Sequence, residues 1–337
     1  MGNNSHPTIS RRDFLKLMAA TGAAIGFAPF VNWSKFFVLP NSNNVEEASA
    51  TASFAGQDRF GINKIYADAP NNSDQNWFMS SIRDPSDDPR VRISPDANMI
   101  RHSDGSWTVR RPNDNYAIRF GVWSISGSRK WVNVEITVYS KFMSIAEPGT
   151  TSTRYVLHLY TRGGSHNNTN RCEGSAYKGR IRTSDGAISF TKEIQHGDYT
   201  SNRQPPNTSS LTLTKPYQGN YIGSKFIVYN LPESPTTGRI PVKLEYWVDE
   251  DGMTRDGVFN RDRQNWRKFA QTTDTGGWSS GDGGGCPPIE IGNTGDRKPD
   301  EILNRGGGLS TGNAIWYRTD DIVSRIKYFS GRVIIPP

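Results

Sequence analysis

The feature that most limits what this chain can fold into is a succession of short stretches rich in Val, Ile, Thr, Tyr, Phe and Trp, separated by Gly, Pro, Asn, Asp and Ser. Val132-Asn133-Val134-Glu135-Ile136-Thr137-Val138-Tyr139 shows the pattern most clearly. Successive side chains of a strand point to opposite faces, so Val and Ile share one face while Asn, Glu, Thr and Tyr share the other. The expectation is a core face and a wet face. Strands are predicted over residues 106–110, 117–122, 132–142, 154–162, 175–182, 188–195, 225–231, 242–249, 266–273, 314–318 and 325–334. No long stretch after residue 50 holds helical periodicity, and no repeat of fixed period weighs for a propeller or solenoid. Residues 201–210 and 276–308, rich in Gly, Pro and Ser, read as surface loops. The expected fold class is all-β: a two-sheet antiparallel jelly-roll sandwich in one domain, residues 51–337.

The first fifty residues read differently. Ser10-Arg11-Arg12-Asp13-Phe14-Leu15-Lys16 resembles the twin-arginine export signal, and behind it residues 17–31 are apolar, diluted by Ala, Gly22 and Gly26. That stretch is shorter than the roughly twenty residues a membrane-crossing helix needs, and it has no polar face of the kind a buried amphipathic helix shows. Ala48-Ser49-Ala50 offers small residues for a signal peptidase, with cleavage expected after Ala50. An uncleaved anchor, extended by Phe36-Phe37-Val38-Leu39, is the other reading, and Lys35 interrupts it. The resemblance implies the twin-arginine translocase as a partner during export and an extracytoplasmic destination.

The whole chain carries +7. Its first fifty residues hold four of the basic and three of the acidic side chains, so the remainder keeps +6. A basic surface favours polyanions, yet Lys and Arg are spread along the chain rather than gathered in blocks, which speaks against a nucleic-acid partner. Cys172 and Cys286 have no Cys-x-x-Cys arrangement, so zinc-ribbon and thioredoxin motifs are excluded. In an exported protein they suggest a disulfide, whose long loop would contribute about 4–5 kcal/mol. Two separate buried thiols are the alternative.

Four segments together carry a family resemblance: Gly223-Ser224-Lys225-Phe226-Ile227-Val228-Tyr229-Asn230, Lys243-Leu244-Glu245-Tyr246-Trp247-Val248-Asp249, Trp266-Arg267-Lys268-Phe269 and Trp316-Tyr317-Arg318-Thr319-Asp320. Their order resembles the sheet succession of the concanavalin-like (laminin-G-like) jelly roll. The layout of residues 54–337 is similar to domains of exported archaeal surface proteins, including Phe60-Gly61-Ile62-Asn63-Lys64-Ile65-Tyr66 and the turn Asp104-Gly105-Ser106-Trp107. The resemblance implies a lectin, glycosidase, polysaccharide lyase or adhesive module, and no required cofactor beyond a structural calcium near Asp282 or Asp296.

The most polar region runs from Thr161-Arg162-Gly163-Gly164-Ser165-His166 through Arg171-Cys172-Glu173 and Tyr177-Lys178 to Lys192-Glu193-Ile194-Gln195-His196. Three successive strands would lay these groups side by side. A lyase acting on acidic sugars needs a cation to neutralise the uronate carboxylate and a His or Tyr to take the adjacent proton. That chemistry would use His196 or His166 as base, with Arg162, Arg171 or Lys192 as the cation. The match to alginate-lyase-type jelly rolls is partial. Arg171 and Glu173 fit an Arg-x-Glu-x-Arg strand, Ser175 breaks it, and Gln195 and His196 are adjacent where a spacer belongs. Tyr328-Phe329-Ser330-Gly331 resembles the lyase tyrosine strand only at its start.

Glu245, Asp249 and Glu250 do not show glucanase spacing, and Asp249-Glu250-Asp251-Gly252 reads as a turn bearing solvated acids. His158, His166 and His196 lack metal-site spacing. Exposed aromatics stack on sugar rings, and Tyr160, Tyr177 and Tyr199, lying among the polar strands, are the expected ligand-face tyrosines, with Glu173 and Gln195 beside them. Two functions remain: an exported module binding a polysaccharide or cell-surface glycan, and a lyase cleaving a uronate glycan by β-elimination.

Overall fold

The computed structural model describes residues 54–70, 76–79, 84–94, 97–110, 118–123, 131–145, 156–163, 176–183, 186–193, 203–204, 207–208, 211–236, 240–275, 314–320 and 322–337. Their strands are β1 (Asn76–Phe78), β2 (Val91–Ile93), β3 (Asn98–Arg101), β4 (Trp107–Arg110), β5 (Ile118–Trp123), β6 (Val134–Ile145), β7 (Val156–Gly163) and β8 (Ala176–Arg182). They continue with β9 (Ile188–Glu193), β10 (Arg203–Gln204), β11 (Asn207–Thr208), β12 (Tyr221–Asn230), β13 (Val242–Asp249), β14 (Arg267–Asp274), β15 (Ala314–Asp320) and β16 (Ile322–Val333). Each of the eleven predicted strands is present within a few residues of its expected bounds. The short strands β1, β2, β3, β10 and β11 were not expected.

Two sheets form. The larger runs β11-β14-β13-β12-β6-β16-β4-β3 with β1 also on β16, and the smaller runs β10-β9-β8-β7-β15-β5-β2. Every strand pair is antiparallel. The chain is the two-sheet antiparallel sandwich that its alternation calls for, and the unit holding both sheets is Ala48–Pro337.

Alternation builds the interior. Val134, Ile136 and Val138 of β6, Phe226 and Val228 of β12 and Leu244 and Val248 of β13 meet Phe120, Leu157, Leu159, Ile181 and Ile315 of the smaller sheet. Trp77, Phe120 and Phe329 lock one end, with ring centroids 5.3–5.7 Å apart. At about 25 cal/mol per Å² of apolar surface, burial of this kind supplies the main driving force for the fold.

The opposite face of β6 is not wet. Glu135 and Tyr139 are fully buried and Thr137 nearly so. Residues 54–69 and the segment 250–266 cross that side, and Ile62, Ile65, Met253 and Trp266 join Tyr139, Tyr221, Ile227, Tyr229, Trp247 and Tyr328 in a second apolar cluster. The buried charges there are paired. Lys225 Nζ donates to Glu135 Oε1 at 2.9 Å and to Thr137 at 2.7 Å. Arg332 Nη2 lies 2.7 Å from the same carboxylate, and its Nη1 donates to Asp68. Burial by itself would raise the Glu135 pKa, but Arg332 and Lys225 outweigh it and hold the carboxyl down at about 2.

The expectation of solvated turn acids is corrected in the same way. Asp249 and Glu250 are buried. Asp249 accepts from Tyr139 Oη at 2.6 Å and from the amides of Asp251, Gly252 and Asn265. Glu250 accepts from both the amide and hydroxyl of Thr214 and from the amide of Lys215, and pairs with Arg267. Glu245 accepts from Tyr66, Tyr229, Trp247 and Lys268. These carboxylates fasten segments onto the sheet rather than standing in solvent.

Candidate functional site

The outward face of the smaller sheet is the candidate site. Its inward positions, Ile118, Phe120, Val122, Leu157, Leu159, Tyr177, Ile181, Phe190, Ile315 and Tyr317, belong to the core. Alternation therefore puts Arg119, Gly121 and Trp123 of β5, His158 and Tyr160 of β7, Lys178, Arg180 and Arg182 of β8, and Trp316, Arg318 and Asp320 of β15 on the other side.

Strand register arranges these groups in rows across the sheet. One row runs Thr191, Lys178, Tyr160, Trp316, Gly121 and Arg92. The neighbouring row runs Ser189, Arg180, His158, Arg318 and Arg119. At about 4.8 Å per strand step, the first row is about 24 Å long.

Glycine makes the centre flat. A Cβ on Gly121 would overlap the Trp316 indole, and one on Gly163 would sit 2.9 Å from its Nε1. The ring thus lies against the sheet over both flanking strands, β5 and β7. Trp123 meets it edge-on, with centroids 5.7 Å apart and an interplanar angle of 87°. Its own Nε1 has no hydrogen-bond partner.

Beside the indole lies an ordered polar group. Arg318 Nη1 donates to Tyr160 Oη at 3.0 Å, and Arg318 Nε donates to Asp320 at 2.6 Å. The Lys178 ammonium stands 4.6 Å from the Tyr160 ring centroid, a cation–π contact. His158 Nε2 lies 3.1 Å from Asp320 Oδ2 without the alignment of a linear hydrogen bond. Burial, joined by Arg318 and Arg180, pushes the His158 pKa down to about 3 against the pull of Asp320, so the ring is neutral at pH 7. Burial would raise Asp320, but His158 and Arg318 beside it hold the carboxyl well below the usual range.

The sequence-predicted residues fall into three groups. Tyr160 is on the expected face but only 3 % exposed, capped by Lys178, so it positions other groups and presents no open ring. Tyr177 and Arg162 are corrections. Tyr177 faces the interior and donates to Asp274 of β14 at 2.6 Å. Arg162, at φ 54°, breaks the alternation of β7, turns inward, and donates to the Val132 carbonyl at 2.7 Å and to Asn230 of β12 at 2.8 Å. Both tie one sheet to the other. Lys192 has its backbone opposite Tyr177 in β9. His166, Arg171, Cys172, Glu173, Gln195, His196, Tyr199, Asp282, Cys286 and Asp296 lie outside the described residues. The strands β7, β8 and β9 are adjacent, as the polar region required. Among the described residues no group of three or more His, Cys, Asp or Glu could hold a metal ion.

Sequence reasoning treated Trp316, Arg318 and Asp320 as markers of fold and passed over Arg119, Gly121, Trp123, Arg180 and Arg182. The usable signal was parity. Ile181 shares the face of Tyr177, while Leu157 and Leu159 leave Tyr160 on the opposite one.

Residues 8–28 match the family model of the TAT (twin-arginine translocation) pathway signal sequence. The chain carries an export signal. It directs the protein across the cytoplasmic membrane. By sequence, no curated protein matches the chain. By structure it is similar to the VIP36 exoplasmic/lumenal domain in its Ca2+/mannose-bound form, at 11 % identity and a TM-score of 0.36, covering 79 % of this chain and 92 % of that one. It is similar also to the Emp46p carbohydrate recognition domain in its potassium-bound form (8 %, TM-score 0.38, 77 % and 95 %) and to the Lotus tetragonolobus seed lectin (8 %, TM-score 0.33, 78 % and 100 %). Likeness at this level assigns neither family nor ligand.

Proposed function

We propose that this exported protein binds a glycan on the outward face of its smaller sheet. One observation carries the reading: the Trp316 indole is held flat against the sheet by glycine on both neighbouring strands, with a second tryptophan edge-on and polar side chains around it. A fixed apolar plane bordered by hydrogen-bonding groups suits a sugar ring, whose C–H face stacks while its hydroxyls bond outward. Rigidity matters because an aromatic already held in its binding geometry loses little entropy on association. Arg162, offered by the sequence as a cation for β-elimination, is turned inward and engaged with Val132 and Asn230.

The twin-arginine translocase would deliver the folded domain, residues 51–337, to the exterior. There a disulfide between Cys172 and Cys286 would leave no titratable thiol in the denatured exported protein. The test of binding is calorimetric titration of a polysaccharide panel with the wild-type protein and Trp316→Ala. The reading expects at least one polymer to bind and the substitution to weaken it about fivefold to tenfold. Equal binding by both proteins would refute the site.

A further inference from the structure

We infer that the outward face of the larger sheet carries a site for one oxyanion of the sulfate or phosphate class, held by Arg325 with Lys141 and Arg255 beside it. The site stands independently of the glycan-binding reading, which concerns the other sheet. Strands β12, β6 and β16 lie side by side, and cations gather at both ends of the trio. At the covered end β6 supplies the counter-charge itself: Glu135 stands opposite Arg332 of β16 and accepts from Lys225 of β12 at 2.9 Å. Further along the same face of β6 stands Lys141, directly opposite Arg325 of β16. Lys141 is outward, since its Nζ lies 4.5 Å from the ring centroid of Tyr221, a member of the outer cluster. Arg325, next to the core residue Ile326, is outward by alternation. Like charges directly opposite on neighbouring strands repel. Among the described residues no carboxylate pairs with either side chain in the way that Glu135 pairs with Lys225 and Arg332.

Arg325 is half-buried, and among the described residues its guanidinium has no hydrogen-bond or ion-pair partner. That group is a planar fork of donors matched to oxyanions. Lys141 already donates to the Arg255 carbonyl at 3.1 Å, so it contributes charge rather than a free donor. Arg255 itself is exposed on the hairpin beyond β13. On the other side of Arg325 stands Thr108 of β4, whose hydroxyl lies 2.9 Å from His102 Nε2. Lys327 donates to the Asp104 carbonyl. The acids acting on Lys141 are Asp104 and Asp256. Asp104 is engaged by the amide and hydroxyl of Ser106 and by Tyr221 Oη at 3.1 Å, and Asp256 is exposed. Burial, followed by Arg325, pushes the Lys141 pKa down against the pull of both acids, and His102 is pushed down in the same order. Lys141, Arg255, Arg325 and Lys327 thus outnumber Asp104 and Asp256 by the charge of one dianion. A compact dianion with several acceptor oxygens removes the repulsion and serves donors from different strands. The excess sits at one point of the sheet, which suits one anionic group and offers no track for a polymer.

The test is calorimetric titration of the full exported chain with sodium sulfate, sodium phosphate and glucose 6-phosphate, at an ionic strength held constant with sodium chloride. The expected result is saturable binding of sulfate or phosphate at a single site, weakened at least about fivefold by Arg325→Gln and about twofold by Arg255→Gln. Arg263→Gln, exposed in the short turn Arg261–Arg263, should bind as the wild type does. In chloride alone Arg325→Gln should melt no lower than the wild type, because the substitution removes a repulsion. A lower melting temperature there would give Arg325 a structural partner and overturn the site. Binding of glucose 6-phosphate as well as phosphate supports an anionic group carried on a larger ligand, whereas binding of the inorganic ions alone supports a free ion. Absence of saturable binding overturns the proposal, as does equal binding by the wild type and Arg325→Gln; neither result bears on Trp316 and the glycan face.

Discussion

The outward faces of the two sheets begin from similar chemistry and end differently. On the larger sheet, acids and bases alternate: Glu135 is met by Lys225 and Arg332, Glu245 by Lys268, and residues 54–69 lie over them. On the smaller sheet, the described side chains are Arg92, Arg119, His158, Lys178, Arg180, Arg182 and Arg318 against Asp320, beside a fixed indole. A charged face that balances itself can be covered and turned into structure, since each buried ion has its counter-ion within the chain. On the smaller sheet the polar groups instead border a flat indole, with Arg318 donating to Tyr160 and to Asp320. The first arrangement stabilises the fold; the second frames an aromatic plane.

The largest effect should come from unbalancing the covered face. Glu135→Gln leaves Lys225 buried without its anion and Arg332 with Asp68 alone, and should cost about 3–5 kcal/mol in urea unfolding. Arg92→Gln, exposed on the other face, should stay within about 0.5 kcal/mol. If Glu135→Gln also stayed under 1 kcal/mol, the contrast between the faces would be gone.

Acid should act on the two faces in different windows. The folded-state pKa of His158 is about 3 against 6.5, so between those values the unfolded chain binds a proton that the folded chain does not. Stability therefore falls as pH drops from 6.5. On the larger sheet Glu135 lies at about 2 against 4.5, so its contribution is present above 4.5 and lost as pH falls toward 2. His158→Gln should remove about 4–8 °C of the melting decrease between pH 7 and pH 5 while leaving the drop below pH 4.5 in place. His102, held low by burial and by Arg325, leaves a residual slope. An unchanged profile in the variant would mean that His158 is wet or charged.

Gly121→Ala tests the flatness of the site. Its new methyl collides with the Trp316 ring, and displacement of the indole should weaken glycan binding about tenfold while costing about 1–3 kcal/mol of stability. Retained affinity would show that the indole plane is not what the ligand touches. The smallest effect on binding is expected from Arg92→Gln, with glycan affinity changed by about twofold or less. A large stability loss there would assign Arg92 to structure.

Much of this fold was legible because long strands announce themselves: β13 was placed at its observed bounds, and β6 showed its core face without ambiguity. The five unexpected strands are two to four residues long and exist by pairing at sheet margins, which leaves little pattern of their own. Alternation also reports which side chains differ, not what later covers them. Hence Glu135, Thr137 and Tyr139 read as wet until residues 54–69 were seen across them. The site was less legible for a topological reason. Trp316 sits between Gly121 and Tyr160, nearly two hundred and more than one hundred fifty positions upstream in the chain, and nothing local marks them as neighbours. Arg162 was unreadable because its positive φ reverses the face that parity assigns.

The most direct test of the account is hydroxyl-radical footprinting of the full exported chain with and without the polysaccharide it binds best. Protection should concentrate on Trp316 and Trp123, while Phe259 and Val258, on the side of the larger sheet, should react unchanged. Protection at Phe259 and Val258 with none at Trp316 and Trp123 would contradict it.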